Sequence, residues 1–525
     1  MELTDRYLRE RGVVYLTGIQ GLVRLAIDQM RRDQRTGLHT ACLISGYEGS
    51  PLGGFDLALG RVADLLREHR IDLVPGLNEE IAATAILGAQ MIEAAGTSRV
   101  DGVVGIWYGK GPGVDRSGDA LRHANFAGTW RQGAALVLAG DDHTAKSSTI
   151  PHQSDLSFFN LGMPVLAPGN TQEVLDYGLY GIALSRFSGA WAGMKLVTAV
   201  CDGGGTVTVD PYVPRFRNPD SYEKRTDGRL LPPYSLRLES EVLGRRLEAA
   251  KDFARLNPVN RCRGAAESAW LGIASAGKAY YDLIEALRDL GIGEEELHRL
   301  GIRVAKFGMT FPLEESFVRE FAAGLATLVV VEEKRSFLEF QIRDILYNAP
   351  ERPAVIGKRD ERGAPLFAAT LELDPDAIAR ALGPRIAETN SKVTVRDSLD
   401  ERLAFLETVA SRPRPNVPAR RPDYCPGCPH NRSTLLLEGQ VALGGIGCHG
   451  MGAAFTDPAR NNVLLTQMGG EGRHGSAWRR MSPAIIPSRT SVTAPGRTPD
   501  PWASAPAWPR VSTSLSRSST TGTWR

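Results

Sequence analysis

The chain has 525 residues, of which 42% are hydrophobic and 23% charged, and it contains no apolar run long enough to span a membrane. This length exceeds what one hydrophobic core supports, so we expect three or four domains. The formal net charge of +2 is unevenly distributed, because residues from Arg473 onward contribute +7 and the body −5. An acidic body offers no electrostatic footprint for nucleic acid.

The first two hundred residues alternate helical patterns with short apolar runs. Helices are predicted over Thr17–Asp33 and over Asn78–Gly96, the second with Asn78 as its N-cap. Buried strands are predicted in TACLISGYEG, DGVVGIWYG, GAALVLAGDD and AGMKLVTAVCDGG. Continuous apolar strands between helices are typical of a parallel sheet covered on both faces, so the fold class is α/β.

A polar segment with a charged helix follows, and then three further strand–helix repeats predict a second, smaller doubly wound domain. A third α/β start comes after the proline-rich stretch PRPNVPARRPDYCPGC. The predicted boundaries are 1–210 for the first domain, 211–262 for a linker, 263–395 for the second domain, 396–420 for another linker, 421–472 for the start of a third domain and 473–525 for a tail.

The tail has no helical or strand period and is predicted to be disordered. It holds four of the eight tryptophans, seven prolines, eight arginines and no lysine. One interpretation is a disordered basic tail. We favour a shifted reading frame, because the change of composition falls inside a glycine-rich loop directly after a predicted strand.

Three cysteines form the first candidate site. Cys425 and Cys428 flank a Pro-Gly turn, and Cys448 follows nineteen intervening residues later. Thiolates at this spacing can hold an iron–sulfur cluster or a zinc ion, and each needs four ligands. His430 or His449 could complete a zinc site. Spacing alone leaves cluster, zinc and unliganded thiols open.

Two further stretches carry candidate residues. Glu79 and Glu80 open the helix after PGLN, where carboxylates ordinarily complement the helix dipole. GYEGSPLGG, with Ser50 as a predicted N-cap, is a strand-to-helix turn whose amides could receive an anion. GDDH with His152 nearby can be interpreted as metal ligands, although such polar residues are more often ordinary loop polarity.

Several motifs occur together in a recognisable order: GYEGSPLGG, LNEEIAATAILGAQ, YGKGPGVDRSGDALRHAN, KFGMTFPLEE, LVVVEEKRSFLE, CPGCPH, GIGCHGMG and TQMGGEG. With them the chain resembles the indolepyruvate ferredoxin oxidoreductases, in particular the long fused bacterial form. The resemblance runs over about residues 10–472. It implies a multi-domain thiamine-diphosphate-enzyme architecture, with a pyrimidine-binding first domain, a transketolase-C-like second domain and an incomplete diphosphate-binding third domain.

The resemblance also implies a reaction and its partners. Thiamine diphosphate, held through Mg²⁺, attacks a 2-oxoacid, which loses CO₂ and passes two electrons through iron–sulfur clusters to ferredoxin. The acyl group goes to coenzyme A. Indolepyruvate and other aryl pyruvates are the expected substrates, with branched-chain oxoacids as an alternative. We expect a cytoplasmic homodimer.

The site residues are carried over by motif match. Glu79 is expected to hydrogen-bond the aminopyrimidine ring and promote deprotonation of C2, and Ser50 to contact the oxoacid carboxylate. Gly447, Cys448 and His449 are expected beside the cofactor. Cys425, Cys428 and Cys448 match [4Fe-4S] ligands, with the fourth ligand missing. Cys42, Cys201 and Cys262 are expected to be incidental thiols.

The sequence also departs from the family pattern. The Gly-Asp-Gly motif that anchors Mg²⁺ and the diphosphate is absent from all 525 residues. We therefore expect a truncated and frameshifted chain that is weakly active or inactive alone. The alternative is a non-catalytic binding or regulatory subunit whose basic tail recruits an acidic partner or RNA.

Overall fold

A computed structural model describes residues 5–489, with gaps at 93–95, 97, 146–147, 213–214, 226–228, 265–268, 390–392, 414–421, 439, 469 and 471–485. The chain divides into two compact units, Met1–Arg412 and Pro413–Arg525. None of the described helices is both long and apolar enough to cross a membrane. Apart from one short strand, the predicted tail 473–525 lies outside the described residues, so its disorder and its reading frame stay predictions.

The N-terminal half of the first unit alternates strands and helices as predicted. Its strands are β1 (Gly12–Thr17), β2 (Ala41–Gly46), β3 (Ile71–Leu73), β4 (Val103–Lys110), β5 (Ala134–Asp141), β6 (Val165–Leu166), β7 (Ala192–Val197) and β8 (Gly204–Val209). Its helices are α1 (Asp5–Leu8), α2 (Gly18–Arg35), α3 (Phe55–Gly60), α4 (Ala63–Glu68), α5 (Glu79–Gln90), α6 (Gly111–Arg116), α7 (Gly118–Ala127), α8 (Ser154–Leu161), α9 (Thr171–Ser188) and α10 (Thr198–Asp202).

Both predicted helices of this half are present. Thr17 caps α2 in a capping box with Gln20, which fixes the start of that helix where the sequence predicts it. Asn78 caps α5, and its side chain accepts a hydrogen bond from the Ile81 amide at 2.8 Å. Helix α5 ends at Gln90, six residues before the predicted end.

The rest of the first unit contains the second sheet. Two helices, α11 (Tyr234–Ser240) and α12 (Arg246–Leu256), are joined by a π-helical turn at Glu241–Arg245. The strands that follow are β9 (Arg261–Gly264), β10 (Leu271–Ala276), β11 (Ile302–Phe307), β12 (Met309–Phe311), β13 (Thr327–Val331) and β14 (Ala354–Ile356). The helices are α13 (Gly277–Asp289), α14 (Glu294–Leu300), α15 (Glu315–Ala322), α16 (Leu338–Leu346), α17 (Pro375–Thr389) and α18 (Val393–Ala410).

The first sheet has seven strands in the order β12-β6-β7-β5-β4-β2-β3, and every pairing except β12 with β6 is parallel. Successive side chains point to opposite faces. In β5, Leu136 and Leu138 therefore pack into the core under α2 and α9, whereas Val137 packs with α5, α7 and α8. The sheet is covered on both faces, which confirms the predicted α/β class.

The second sheet has the order β14-β13-β10-β11-β9, with β9 as an antiparallel edge strand. It too is covered on both faces, by α13, α14, α17 and α18 on one side and by α15 and α16 on the other. Two features were not predicted. Strand β12 leaves this region to extend the first sheet. Helix α12, expected on a linker, contributes Ala249, Ala250 and Phe253 to the first core.

The second unit contains a small parallel sheet. Its elements are α19 (His430–Ser433), β15 (Gln440–Gly445), a 3₁₀ helix at Cys448–Ala454, β16 (Asn462–Thr466) and β17 (Ile486–Arg489). Strand β15 pairs in parallel with both β16 and β17. The prediction of a tail without regular structure therefore differs from the structure at Ile486–Arg489.

A buried ion pair links α9, which packs on the first sheet, to β11 of the second sheet. Lys306 of β11 pairs with Glu173 of α9, and the Tyr281 hydroxyl donates to Glu173 Oε1 at 2.9 Å. Glu173 Oε2 accepts the Gly169 amide at 2.8 Å. Both charges are nearly inaccessible, so each depends on the other for compensation.

We predict that Lys306→Met lowers the free energy of unfolding by about 3 kcal/mol, because it leaves Glu173 buried without its countercharge. Thermal unfolding followed by circular dichroism measures the change. As a control, Glu315→Gln removes a half-exposed partner of Lys251 and is expected to cost less than about 1 kcal/mol. Equal losses of stability in the two variants would contradict the role of Lys306 as the countercharge of the buried Glu173.

Candidate active site

Glu79 lies at the edge of the first sheet where its parallel strands have their carboxyl ends. The carboxyl ends of β2, β4 and β5 meet at one edge of the sheet, and the crevice outside that edge is where α/β sheets bind ligands. Glu79 is the first residue of α5 and is only 7% exposed. Glu80, the next residue, is exposed. The pair that looked equivalent in the sequence is therefore divided into a buried and a solvated carboxylate.

Glycines make room for the Glu79 side chain. A Cβ atom at Gly113 would lie 2.7 Å from Glu79 Oε1, and one at Gly109 would lie 3.3 Å from its Cγ. The backbone is held as well, because the indole of Trp107 donates to the Glu79 carbonyl at 2.9 Å. The glycines of YGKGPG thus serve a close approach of backbone to a buried carboxylate.

Lys110 is a site residue that the sequence analysis missed. It ends β4 and is buried, and burial lowers the pKa of its ammonium, while the nearby charges of Glu79 and Asp142 partly oppose that effect. A Cβ at Gly49 would lie 2.9 Å from Lys110 Cδ, so the lysine lies against the GYEGSPLGG turn. A lysine at the end of an otherwise apolar strand was the available signal.

Ser50 lies in that same turn and is half-buried. Its predicted role as an N-cap is wrong, because α3 begins only at Phe55 and has Gly54 at its N-cap. The turn therefore does not place Ser50 at a helix start. The turn is closely packed there, because a Cβ atom added at Gly53 would lie 3.3 Å from the Ser50 amide nitrogen.

His143 of GDDH and the nearby His152 each contact a different carboxylate. His152 packs against Gly111, and its Nε2 lies 2.7 Å from Asp115 Oδ2. The hydrogen bond with His152 lowers the pKa of Asp115. His143 is buried, and its Nδ1 lies 2.7 Å from Glu333 Oε2. Loop polarity is therefore the wrong interpretation of His143.

The cysteine turn of the second unit is well defined. The Cys428 amide donates to the Cys425 carbonyl at 3.0 Å, across Gly427 at φ 77°. Cys428 Sγ lies 3.2 Å from His430 Nδ1. Cys448 opens the 3₁₀ helix after Gly447.

His449 is buried beside this turn, and its Nε2 accepts the Gly445 amide at 2.9 Å. Over the described range, no three His, Cys, Asp or Glu side chains are grouped so that they could hold a metal ion. The residues present therefore do not fit a four-ligand cluster. The fourth cysteine that the resemblance implies has no counterpart in the sequence, because no cysteine follows Cys448.

The chain is similar in sequence to known proteins. Residues 260–412 match a family described as the indolepyruvate oxidoreductase domain. Indolepyruvate oxidoreductase subunit IorA of Methanothermobacter thermautotrophicus is 26% identical over 438 residues, covering 82% of this chain and 61% of that protein. Subunit IorA of Pyrococcus abyssi is 23% identical over 466 residues, covering 87% and 64%. The chain thus spans less than two thirds of these relatives.

The fold is similar to that of one solved enzyme. The 2-oxoglutarate:ferredoxin oxidoreductase of Magnetococcus marinus, solved with 2-oxoglutarate, coenzyme A and succinyl-CoA, superposes with a TM-score of 0.51 at 14% identity, over 72% of this chain and 66% of that one. The family match and the IorA relatives confirm the resemblance to the indolepyruvate ferredoxin oxidoreductases.

The close packing of Gly113 against the Glu79 side chain can be tested directly. Gly113→Ala is predicted to lower the free energy of unfolding by about 1–3 kcal/mol, because the new methyl group overlaps the Glu79 side chain. Adding Glu79→Ala should recover most of the loss. Gly118→Ala is the control, since its Cβ meets no atom within 4 Å. Additive effects of the two substitutions in a double-mutant cycle would contradict the contact.

Thiol labelling tests the cysteine turn. Cys425 is exposed, whereas Cys42 and Cys201 are buried and burial raises the pKa of both thiols. We predict that iodoacetamide modifies Cys425 in the folded chain and reaches Cys42 and Cys201 only on unfolding, as measured by peptide mass spectrometry. Protection of Cys425 in the folded chain would show that it is ligated after all.

Proposed function

We propose that the chain supplies the ring-activating half of a thiamine-diphosphate-dependent indolepyruvate ferredoxin oxidoreductase. The observation that carries the proposal is Glu79, a buried carboxylate at the head of α5 in a cradle of glycines. Gly109 and Gly113 let the backbone approach this carboxylate closely, and Gly49 lies against Lys110 in the neighbouring turn. When bound, thiamine diphosphate supplies the carbanion chemistry that releases CO₂ from a 2-oxoacid.

Glu79 has one task in this scheme, which is to accept a hydrogen bond from an N–H of the aminopyrimidine ring. Burial strengthens this hydrogen bond, because water does not compete for the carboxylate. Burial lowers the pKa of the Lys110 ammonium, and the nearby charge of Glu79 partly opposes that effect. Ser50, in the turn beside Lys110, is the residue we propose to contact the oxoacid carboxylate.

The overall reaction balances with partners that the relatives' names and the neighbour's ligands suggest. A 2-oxoacid and coenzyme A give acyl-CoA, CO₂ and a proton, while ferredoxin takes up two electrons. Aryl pyruvates, indolepyruvate in particular, are the proposed substrates, and a homodimer is the proposed assembly. The proposal includes no iron–sulfur cluster, because Cys425, Cys428 and Cys448 are not grouped as ligands in the described part of the second unit.

The neighbouring glutamates make a matched pair of variants. Because the chain alone is expected to be weakly active or inactive, its residual activity is measured with thiamine diphosphate, Mg²⁺, indolepyruvate, coenzyme A and oxidised ferredoxin, as the formation of both acyl-CoA and reduced ferredoxin. Glu79→Gln is expected to lower the rate about 10²–10⁴-fold, the usual contribution of a positioned acid–base group. Glu80→Gln, one residue along and exposed, should leave the rate unchanged. Acyl-CoA formed without reduced ferredoxin, or equal rates in both variants, would exclude the proposal.

A further inference from the structure

The cysteines of the second unit do not supply the donor set that a metal centre needs. An iron–sulfur cluster or a structural zinc ion takes four ligands. The second unit has Cys425, Cys428 and Cys448, and no cysteine follows Cys448 in the sequence. In the part of the chain that the structure describes, these thiols are not grouped with further His, Cys, Asp or Glu ligands. We therefore ask what Cys425 and Cys428, both free thiols, can do as a pair.

The backbone between these two cysteines is a tight turn. The Cys428 amide donates to the Cys425 carbonyl at 3.0 Å. Pro426 has its φ fixed by its ring, and Gly427 has a φ of 77°, so the conformation matches a type II turn. The end residues of such a turn have Cα atoms less than about 7 Å apart, and disulfides join Cα atoms about 4.4–6.8 Å apart. The turn thus brings the two cysteines within disulfide range.

Neighbouring groups hold both ends of this turn. The Cys425 carbonyl accepts a second hydrogen bond, from Asn431 Nδ2 at 3.1 Å. The Asn431 amide donates to the Cys428 carbonyl at 3.0 Å. Cys428 Sγ lies 3.2 Å from His430 Nδ1. Because the turn is already ordered, a bond between the two sulfurs costs little further chain entropy.

The two thiols differ in exposure. Cys425 is exposed, whereas Cys428 is half-buried. Thiol–disulfide exchange requires access to the attacking sulfur, so an incoming disulfide meets Cys425 first. Cys428, three residues further on and facing away from solvent in part, is then the group that resolves the mixed disulfide.

We propose that Cys425 and Cys428 are a redox-active dithiol, which a low-molecular-weight disulfide oxidises to an intramolecular disulfide. Cys425 attacks the incoming disulfide, and one small thiol leaves. Cys428 then attacks the Cys425 sulfur of the mixed disulfide, and the second small thiol leaves. Two electrons pass from the cysteine pair to the small disulfide, and the two cysteine protons end on the released thiols. This reaction is independent of the proposed thiamine chemistry, so either proposal can fail without the other.

Mass spectrometry of the full chain treated with glutathione disulfide tests the proposal. The chain is first reduced with dithiothreitol and freed of it, then oxidised, blocked with iodoacetamide and digested with trypsin. Residues 421–432 form one tryptic peptide with both cysteines. This peptide is expected to be lighter by two hydrogens than its reduced form and to carry neither an alkyl group nor glutathione. A second reduction should restore both alkylation sites.

The same digest contains its own controls. Cys262, which is exposed on β9, should keep glutathione as a mixed disulfide. Cys448 lies in a different tryptic peptide, 433–460, so a bond to it would join two peptides. Separate glutathione adducts on Cys425 and Cys428, or a bond from either of them to Cys448, would overturn the proposal. Resistance of the reduced pair to both reagents would also overturn it, because ligated thiolates behave in that way.

Variants assign the roles within the turn. Cys428→Ser should leave glutathione on Cys425, because the resolving thiol is missing. Gly427→Ala should slow closure of the disulfide about tenfold, because a side chain disfavours a φ of 77°, although its Cβ meets no atom within 4 Å. Gly427→Asn is the matched control, since asparagine tolerates this conformation better. Circular dichroism checks that each variant is folded. Unchanged closure in Gly427→Ala, or no adduct in Cys428→Ser, would contradict the assigned roles.

Discussion

The proposed chemistry depends on one constraint: the Glu79 carboxylate must be buried at the start of a helix and still be able to accept a hydrogen bond from the cofactor. Burying a carboxylate is costly unless neighbouring charges and dipoles compensate it. Here Glu79 is the first residue of α5, where the helix dipole favours a carboxylate. The glycines at 109 and 113 leave no side chain in the way. We therefore propose that the Glu79 carboxylate accepts a hydrogen bond from a ring N–H.

The surrounding architecture connects the first sheet to the chain segment that carries the second sheet. Strand β12 follows β11 in the chain but pairs with β6 of the first sheet. The buried pair of Lys306 and Glu173 ties β11 to α9, and His143 with Glu333 ties the end of β5 to that of β13. These contacts connect the segment that carries the second sheet to the first sheet.

Local features of this fold could be predicted from the sequence, and long-range ones could not. Thr17 and Asn78 are caps that act within four residues, so the starts of α2 and α5 follow from the local pattern. The burial of Glu79 rather than Glu80 could be assigned only by family resemblance, since the two are identical in composition. The pairing of His143 with Glu333 joins residues far apart in the chain, and no sequence period reports it. Ser50 failed as a cap because the turn runs five residues further before α3 begins.

Exchange of the thiamine C2 proton for deuterium tests the central claim most directly, because it needs only ring activation and not a complete catalytic cycle. Proton magnetic resonance follows the exchange with the native chain, Glu79→Gln and Glu80→Gln. The account predicts faster exchange with the native chain and with Glu80→Gln than in buffer, and about 10²–10⁴-fold slower exchange with Glu79→Gln. Equal acceleration by Glu79→Gln would show that this carboxylate does not activate the ring.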